Sequence, residues 1–522
     1  MLRSLLTVGG WTMISRLLGL VRDQLLAFFL GAGGVQDAYQ IAFRLPNMFR
    51  RLFGEGAFNA AFIPLFTGIF EKEGRSKALL FAGRSLSMLV VWLVFLTVLG
   101  EIFMPQLIDV LAPGFRHGNL HRYQLAVQLT RITLPYMVLI CAAALVAGML
   151  NGRNHFSAAS AAYVTFNIVG ILSILAGAWY GHDDIAQAGA WGITLSGGLQ
   201  LALLLWAAAR HRILPPLCWP VLSHNIRLLL RRMAPGLVGS GVTQLNLTVD
   251  TIIATLLPTG SISWLYFADR VNQLPLGVLG AALGTTLLPL LSRHASGGDR
   301  VAMRESLDQA MTYALLPVLP ATAGLLATAP LIMSTLFGYG HFTLPDVVNS
   351  AGCLRAYALG LPAFVIIKLL APAFFAEGDT ATPVRVGLMT LALNLALNLA
   401  FYRPLAWLGP PLASAAAALV NMSVLMVLLY RRDLFRPDRR ALSQAGRILL
   451  AAMLMGLCAW AVTRTVLWDL PNWPGLLARL IGLMSLIGLS GGLYAFLLLA
   501  LRVVTPAQLR SFAERRLNRR RG

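Results

Sequence analysis

The sequence predicts an all-α polytopic membrane protein with about 14 transmembrane helices. Of its 522 residues, 57% are hydrophobic and 12% are charged, whereas soluble domains are about 45–50% apolar and about 25% charged. This apolar excess cannot all be buried in a soluble core, because the surface must still be covered with polar groups. Residues 85–100, 133–152 and 154–182 contain no Asp, Glu, Lys or Arg and are at or near spanning length. A soluble enzyme, a disordered chain and a secreted disulfide scaffold are therefore excluded.

Apolar segments of roughly 20 residues or more give the individual helices. Short connectors with Gly, Pro, Asn and Asp separate them, as turns require. In chain order the predicted spans are 8–30, 36–66, 79–104, 125–150, 156–179, 187–209, 228–257, 262–292, 308–333, 347–375, 383–402, 408–430, 444–465 and 475–501.

An internal repeat relates the first half of the chain to the second, at a separation of about 226 residues. The matching positions are Asp23 and Asp250, Gly33 and Gly260, Asn47 and Asn272, Pro64 and Pro289, Leu134-Pro135 and Leu361-Pro362, and Asn167 and Asn394. Because the repeated unit holds an even number of helices, both copies have the same orientation in the membrane. We therefore expect an N-terminal lobe over 1–225, a C-terminal lobe over 226–440, and two extra helices with a basic tail over 441–522.

The basic residues lie mostly in short loops on one predicted side of the membrane. The chain has 42 Lys and Arg against 21 Asp and Glu, a net charge of +21. This distribution is the positive-inside pattern, so it predicts two cytoplasmic termini rather than nucleic-acid binding. The basic tail after residue 501 is typical of a topology anchor, with anionic lipid headgroups as a second possible partner. The four cysteines form no CxxC motif and predict neither a disulfide framework nor a metal site.

Ionisable side chains inside spans cost several kcal/mol each unless they are paired or hydrated, so they indicate function. In the first predicted helix, Ser15 and Arg22 share one face, and Arg16 and Asp23 share another. In the second helix, steps of three and four residues form one polar stripe of Asp37, Gln40, Arg44, Asn47, Arg51 and Glu55, with Arg50 beside it. Such a stripe must face protein or a water-filled cavity.

The eighth predicted helix carries a similar stripe in the second repeat. Its members are Ser263, Tyr266, Arg270 and Gln273, with Asp269 adjacent. Lys368, in the tenth helix, is either a further cavity cation or a packed residue at a proline kink.

The charges in these helices predict an anionic ligand. The cations of helices 1, 2 and 8 are all arginines, and they outnumber the acids Asp23, Asp37, Glu55 and Asp269. Arginine stays charged and binds phosphate oxygens in a bidentate manner, so a phosphorylated substrate is favoured. Snorkelling to the interface or salt bridges between helices would be the purely structural explanation. No HExxH, GxSxG or Walker sequence occurs, so no enzyme activity and no cofactor are predicted.

At these residues the sequence resembles the MurJ (MviN) family of bacterial lipid II flippases, in the MOP exporter superfamily. The resemblance rests on residues 15–19 (SRLLG), 22–23 (RD), 31–33 (GAG), 37–38 (DA), 45–51 (LPNMFRR), 54–58 (GEGAF), 266–270 (YFADR), 274–275 (LP), 277–280 (GVLG) and 288–289 (LP). It implies two six-helix lobes in a V shape, and two C-terminal helices that form a groove for the lipid tail. It also implies an inner-membrane location.

The resemblance further implies a substrate and a site. The substrate would be the undecaprenyl-pyrophosphate disaccharide-pentapeptide, moved from the cytoplasmic to the periplasmic leaflet by alternating access of the two lobes. The implied cavity residues are Arg16, Arg22, Arg50, Arg270, Asp37 and Asn47, and Ser15 joins them from its position on the first helix. In this hypothesis Arg16, Arg22 and Arg270 attract the pyrophosphate, whereas Arg50 and Asp37 shape or gate the cavity. Such a cavity would feel the membrane potential, so transport is expected to depend on that potential or on a coupling ion that the sequence does not identify.

Three alternatives stay open at this point. The first is another MOP exporter, either a polysaccharide-lipid flippase or a drug exporter, although a drug exporter should show a carboxylate-rich cavity. The second is a membrane enzyme acting on polyprenyl phosphates, which needs acidic metal-binding motifs that the scattered Asp residues do not provide. The third is a scaffold in a cell-wall synthesis complex, a role that is compatible with transport.

Overall fold

The computed structural model describes residues 2–54, 57–118, 120–277, 300–467 and 475–503, which are mostly helical and contain no β-strand. Packing divides the chain into two units, and each is described by itself. Unit 1 comprises residues 1–263 and 339–346, and unit 2 comprises residues 264–338 and 347–522. The all-helical architecture predicted from composition is confirmed.

Unit 1 contains eleven complete helices and the start of a twelfth. They are α1 (Leu2–Leu30), α2 (Gly34–Gly54), α3 (Ala57–Glu73), α4 (Arg75–Ile102), α5 (Met104–Leu111), α6 (Pro113–Gly118), α7 (Leu120–Thr133), α8 (Tyr136–Gly152), α9 (Phe156–Tyr180), α10 (His182–Arg210) and α11 (His224–Thr255). Residues 261–277 form α12, which begins in unit 1. Helix α9 packs against α1 and α10, while α2 packs against α7 and α8.

Unit 2 contains the rest of α12 and six further helices. These are α13 (Arg300–Phe337), α14 (Leu344–Ala376), α15 (Ala381–Phe401), α16 (Gly409–Arg431), α17 (Arg439–Thr465) and α18 (Leu476–Ala500). Helix α13 packs against α17 and α18, and buried Leu331, Leu483 and Leu486 form part of that contact. Helices α15 and α16 pack as a second pair.

The helix starts reproduce the repeat that the sequence predicts. Helices α2 and α12 begin 227 residues apart, at Gly34 and residue 261. Helices α9 and α15 begin 225 residues apart, at Phe156 and Ala381. One difference concerns the repeated Leu-Pro pair: Leu134-Pro135 separates α7 from α8, whereas α14 continues through Pro362. A proline lacks the backbone N–H that a helical hydrogen bond needs. At Pro135 the chain divides into two helices, whereas at Pro362 α14 continues without that hydrogen bond.

Eleven helical segments of the described chain are long and apolar enough to cross a membrane. They coincide with eleven of the predicted spans, and the predicted total of about 14 is not established. The other three predictions, 8–30, 228–257 and 262–292, fall on α1, α11 and α12. Polar and charged side chains lower the mean hydropathy of α1 and α11, and the described part of α12 ends at residue 277. The predicted basic tail lies outside the described residues beyond residue 503.

Packing places α11 in unit 1, where it contacts α3. The lobes predicted from the repeat instead assign α11 to the second half of the chain. The two units are defined by contacts within the folded chain, whereas the lobes are defined by repeated sequence positions. The lobe boundaries at 225 and 440 therefore stay predictions.

A distant segment completes unit 1. Residues 339–346, which comprise most of the connector after α13 and the first three residues of α14, belong to unit 1 and lie against the end of α1. The His341 N–H donates to the Phe28 carbonyl at 2.9 Å. Gly31 has φ 64° and Gly340 has φ 61°, and a Cβ at either position would clash with the backbone of the other segment. Glycine is therefore required on both sides of this contact.

In unit 2, a charged cluster ties the connector after α14 to the end of α16. Asp379 accepts hydrogen bonds from the Thr382 N–H at 2.9 Å and the Thr382 hydroxyl at 2.6 Å. Arg432 pairs with Asp379 at 2.6 Å and with Glu377 at 3.4 Å. The hydrogen bonds from Thr382, followed by Arg432, hold the pKa of Asp379 below its ordinary value of 3.8. Since this lowered pKa belongs to the folded state, ionised Asp379 stabilises the fold at neutral pH.

We expect Asp379→Asn to reduce the free energy of unfolding by about 1–2 kcal/mol, because a charge-assisted hydrogen bond is lost at a partly exposed site. Thermal unfolding of the detergent-purified protein, followed by circular dichroism, measures this difference. The difference should be constant from about pH 8 to 5 and shrink as the pH falls below about 4, because the unfolded wild type then takes up a proton at Asp379 while the folded protein keeps this carboxylate ionised. Asp433→Asn is the matched control, since its pair with Arg436 is exposed. Equal melting temperatures for both variants would contradict this interpretation.

Candidate functional site

The first candidate group lies where α1 meets α9 in unit 1. Arg22 Nη2 contacts Asp23 Oδ1 at 2.9 Å, and both residues are buried. The guanidinium lies 5.0 Å from the centre of the Phe166 ring, and the Arg22 side chain occupies the space beside Gly170. Arg22 is thus held by an acid of its own helix and by an aromatic ring of α9.

Ser15 joins the same two helices by hydrogen bonds. Asn167 Nδ2 donates to the Ser15 carbonyl at 2.9 Å and to Ser15 Oγ at 3.1 Å. The Ser15 hydroxyl donates to the Tyr163 carbonyl at 3.4 Å. The repeat alone does not predict that Asn167 is the partner of Ser15. A polar amide inside the uncharged run 154–182 is the sequence signal that could have indicated it, because such a group needs a hydrogen-bond partner.

Arg16 differs from Arg22 although the two lie on the same helix. Its side chain is exposed in unit 1, and no hydrogen bond or ion pair is described for it. An exposed guanidinium of this kind is available to an anionic ligand or to lipid headgroups.

Arg50 lies in a small cavity enclosed by α2, α3, α8, α9 and α10. The cavity measures about 160 Å³. Arg50 Nε donates to Asn47 Oδ1 at 3.0 Å, which fixes the guanidinium. The polar side chains that line the cavity are Arg50, Asn59, Asn151, Ser160, Tyr163 and Gln200. The predicted neighbours Arg50 and Asn47 are therefore together, inside unit 1.

The rest of the polar stripe on α2 has two environments. Asp37 and Gln40, near its start, are buried. Arg44, Asn47 and Arg51, nearer its end, are half-buried. Glu55, with its predicted pairing to Arg51, lies outside the described residues. The stripe is thus buried within the protein near the start of α2, and its side chains are partly exposed only towards the end of the helix.

Asp37 is held by several hydrogen bonds within unit 1. It is 1% exposed, and three donors from the start of α12 reach its carboxylate. The Gly260 N–H donates at 2.8 Å, the Ser263 N–H at 3.0 Å and the Ser263 hydroxyl at 2.7 Å. An acid at a helix N-terminus satisfies N–H groups that have no intrahelical partner. Asp37 therefore fastens α2 to α12 in unit 1 and does not line an open cavity in this structure.

Arg122 of α7 completes this contact, and the sequence reasoning missed it. Its Nη1 lies 3.5 Å from Asp37 Oδ2 and donates to Thr259 Oγ1 at 3.2 Å. The guanidinium also lies 4.1 Å from the centre of the Phe115 ring. Most basic residues lie in loops on the predicted cytoplasmic side, and Arg122 is one of the few arginines near the opposite side of the membrane. That rarity is the sequence signal that could have indicated it. We call Asp37, Arg122, Thr259, Gly260 and Ser263 the Asp37 latch.

The other candidates on α12 belong to unit 2, apart from Ser263. The Gln273 amide donates to Asp269 Oδ2 one turn earlier. The Tyr266 ring packs edge-on against Phe267 at 5.4 Å. Arg270 is half-buried. Lys368 of α14 is exposed, with no hydrogen bond or ion pair described for it, so its two explanations stay open.

The arginines among these groups suit the binding of an anion. The described part of the chain has no cluster of three or more His, Cys, Asp or Glu side chains that could hold a metal ion. The arginines can attract and orient an anion, and the Asp37 latch can hold helices together reversibly.

Comparison with known proteins identifies the family. The profile of the family described as "Lipid II flippase MurJ" matches residues 26–473. A protein of Rhizobium meliloti (strain 1021), named "Probable lipid II flippase MurJ", is 37% identical over 493 residues, covering 94% of this chain and 91% of its own. The "Lipid II flippase MurJ" of Burkholderia cenocepacia is 34% identical over 470 residues, covering 88% of this chain and 90% of its own.

Solved structures show the same fold. "Lipid II flippase MurJ, inward closed conformation" superposes with a TM-score of 0.75 at 24% identity, covering 94% of this chain and 97% of that one. An inward-facing multidrug resistance MATE transporter of the MOP superfamily gives a TM-score of 0.68 at 15% identity, covering 82% of this chain and 98% of that one. At these identities the likeness concerns the fold alone. The family profile and the sequence relatives together show that this chain, a multi-pass membrane protein, belongs to the MurJ family of lipid II flippases.

Proposed function

We propose that this protein moves lipid II from the cytoplasmic to the periplasmic leaflet of the bacterial inner membrane. The observation that carries the proposal is the family match, which spans residues 26–473. The arginines of α1, α2 and α12 agree with it, because a pyrophosphate needs cations that stay charged within the bilayer. In this proposal the protein is a transporter and not an enzyme, and both of its termini are cytoplasmic.

The arginines divide into two roles in this proposal. Arg16 is exposed and Arg270 is half-buried, so both are candidates for direct contact with the pyrophosphate. Arg22 is already paired with Asp23, so it would either orient α1 or exchange its partner when the substrate arrives. Arg50 faces a cavity of about 160 Å³, which holds a few water molecules at about 30 Å³ each but not a disaccharide-pentapeptide. We therefore assign Arg50 and Asn47 to shaping α2 rather than to enclosing the headgroup.

The Asp37 latch is proposed to act as a gate on the side that the charge pattern assigns to the periplasm. Asp37 and Ser263 are 226 residues apart, close to the repeat separation, so they occupy corresponding positions of the two repeats. A contact between corresponding positions can open and close as the repeats move. Alternating access would therefore require the carboxylate to leave Gly260 and Ser263 once per cycle. A role for the membrane potential, a coupling ion and membership of cell-wall synthesis complexes remain predictions.

The arginine assignment predicts which variants lose transport. Arg16→Ala and Arg270→Ala should each slow lipid II leaflet exchange in proteoliposomes by about tenfold or more, because each loses a charge-assisted contact of about 1.5–3 kcal/mol. Arg22→Ala should be similarly impaired. All three should fail to support growth of a strain depleted of its own lipid II flippase. Arg16→Lys should retain partial activity, since lysine keeps the charge but cannot bind a phosphate in a bidentate manner.

Arg227→Ala serves as the control, because Arg227 is an exposed residue near the start of α11, and it should exchange lipid II at the wild-type rate. Wild-type exchange in Arg16→Ala and Arg270→Ala would reject the site assignment. If the wild-type protein does not accelerate lipid II exchange at all, the flippase proposal itself is rejected.

The gate proposal predicts a change in accessibility. Ser261, beside the latch, is fully buried. In a variant whose natural cysteines are replaced, Ser261→Cys should react slowly with a membrane-impermeant maleimide added from outside. Adding Asp37→Ala should raise the reaction rate by at least tenfold, because Arg122 then lies buried without its acid, a change that costs about 3–5 kcal/mol.

Asp109→Ala is the matched control for this measurement, because it removes an acid that pairs with Arg116 on the same predicted side. Its maleimide rate should equal that of the parent variant. Equal rates in the Asp37→Ala and Asp109→Ala proteins would contradict the gate.

A further inference from the structure

Two histidine rings are stacked where α8, α9 and α10 end on the predicted cytoplasmic side. The rings of His155 and His211 have centroids 3.6 Å apart and an interplanar angle of 19°. His155 lies in the short connector between α8 and α9, and His211 directly follows α10. Neither residue belongs to the candidate transport site, and the proposed function does not use them.

The surroundings of this pair are basic. Arg153 lies over the Phe70 ring at 4.1 Å, and Arg210 lies over the Trp206 ring at 5.6 Å. Arg75 donates to the carbonyl of Arg212, which brings a further guanidinium to the end of α10. None of the hydrogen bonds and ion pairs described for these arginines and histidines involves a carboxylate. The cluster therefore carries a local positive charge that no acid is seen to neutralise.

A pocket of about 510 Å³ opens beside the histidine pair. Its rim carries His155, His211 and Arg210, and its wall includes the apolar side chains of Ala158, Ala161 and Leu203. Helices α9 and α10 both contribute to the apolar wall, and both are membrane spans. The pocket thus combines a cationic rim with an apolar wall at the end of two spans.

The position of the pocket indicates the boundary between hydrocarbon and water. Trp206 lines it and is 60% exposed, and tryptophan is enriched at this boundary. Basic pockets on the cytoplasmic side of membrane proteins suit anionic lipid headgroups, which are concentrated in that leaflet. A soluble anion would use the cationic rim but would gain nothing from the apolar wall.

We propose that this pocket binds an anionic phospholipid of the cytoplasmic leaflet. Its phosphate lies against Arg210 and the His155–His211 pair, and the first part of an acyl chain lies along Ala158, Ala161 and Leu203. The site is separate from the arginines assigned to substrate transport. It gives the protein a fixed lipid contact at one membrane boundary.

His155 makes this site sensitive to pH. Burial, then His211 and Arg153, lowers the pKa of His155, so the His155 ring is neutral when the site is empty at neutral pH. The charged groups around the pair are Arg153 on the same connector, and Arg210 and Arg212 at the end of α10. A bound phosphate favours the imidazolium form, so lipid binding and proton uptake support each other. Affinity therefore rises as the pH falls from about 7.5 to 6.

Calorimetric titration of the purified full-length protein tests the site. Dioctanoyl phosphatidylglycerol should bind at least tenfold more tightly than dioctanoyl phosphatidylcholine, and more tightly at pH 6 than at pH 7.5. Arg210→Ala should weaken phosphatidylglycerol binding by about tenfold, the effect of one charge-assisted hydrogen bond, whereas Arg227→Ala should not. His155→Ala should reduce the pH dependence, whereas His224→Ala, which removes an exposed histidine at the start of α11, should preserve it.

Equal affinity for the two lipids, or equal effects of Arg210→Ala and Arg227→Ala, would overturn the proposal. A third titration uses inorganic phosphate: binding as tight as that of phosphatidylglycerol would show that the ligand is free phosphate and would also overturn it. Arg210 is exposed and His155 lies in the short connector before α9, so unchanged melting temperatures of their variants should confirm that they fold. The measurement involves no transport, and its failure would leave the flippase proposal unaffected.

Discussion

Charged and hydrogen-bonding groups are costly in hydrocarbon unless a partner satisfies them, and this constraint explains the polar contacts of the protein. Arg22 is buried with Asp23 beside it. Asp37 is buried with donors from Gly260 and Ser263 and with Arg122 nearby. The Asp37 contacts join α2 to α12 and α7, whereas Arg22 pairs with an acid of its own helix and reaches α9 through the Phe166 ring. These contacts hold neighbouring helices together, and an exposed guanidinium such as that of Arg16 is the kind of group available to a ligand.

The arginines of this protein differ in whether a neighbouring group already holds them. Sequence counts treat Arg16, Arg22 and Arg50 as equivalent cations, but the structure gives each a different surrounding. Arg22 is neutralised by an acid, Arg50 is oriented by Asn47, and Arg16 is exposed. A net positive field can attract a phosphorylated headgroup over some distance, while only accessible guanidinium groups can bind it. Arg22 and Arg50 would then define the shape of the binding site and hence its selectivity, whereas the exposed Arg16 would contribute to the binding affinity.

Much of the fold was predictable, because hydropathy and periodicity are properties of short segments of chain. The helical class follows from composition, and the repeat follows from positions such as Gly33 and Gly260 that recur at a constant separation. The partners of the site residues were not predictable in the same way. Spacing along α2 shows which side chains share a face with Asp37, but it carries no information about Arg122, which comes from a different helix. The same limit hid the contact between Ser15 and Asn167.

The contact of residues 339–346 with the end of α1 has a consequence for biosynthesis. Unit 1 is discontinuous in sequence, so it cannot be completed when its first 263 residues have left the ribosome. The hydrogen bond from the His341 N–H to the Phe28 carbonyl can form only after the translocon has also inserted α13. During that interval the N-terminal helices form an unfinished intermediate whose last backbone partner is still being translated. Truncation before residue 339 would therefore remove part of unit 1 as well as unit 2.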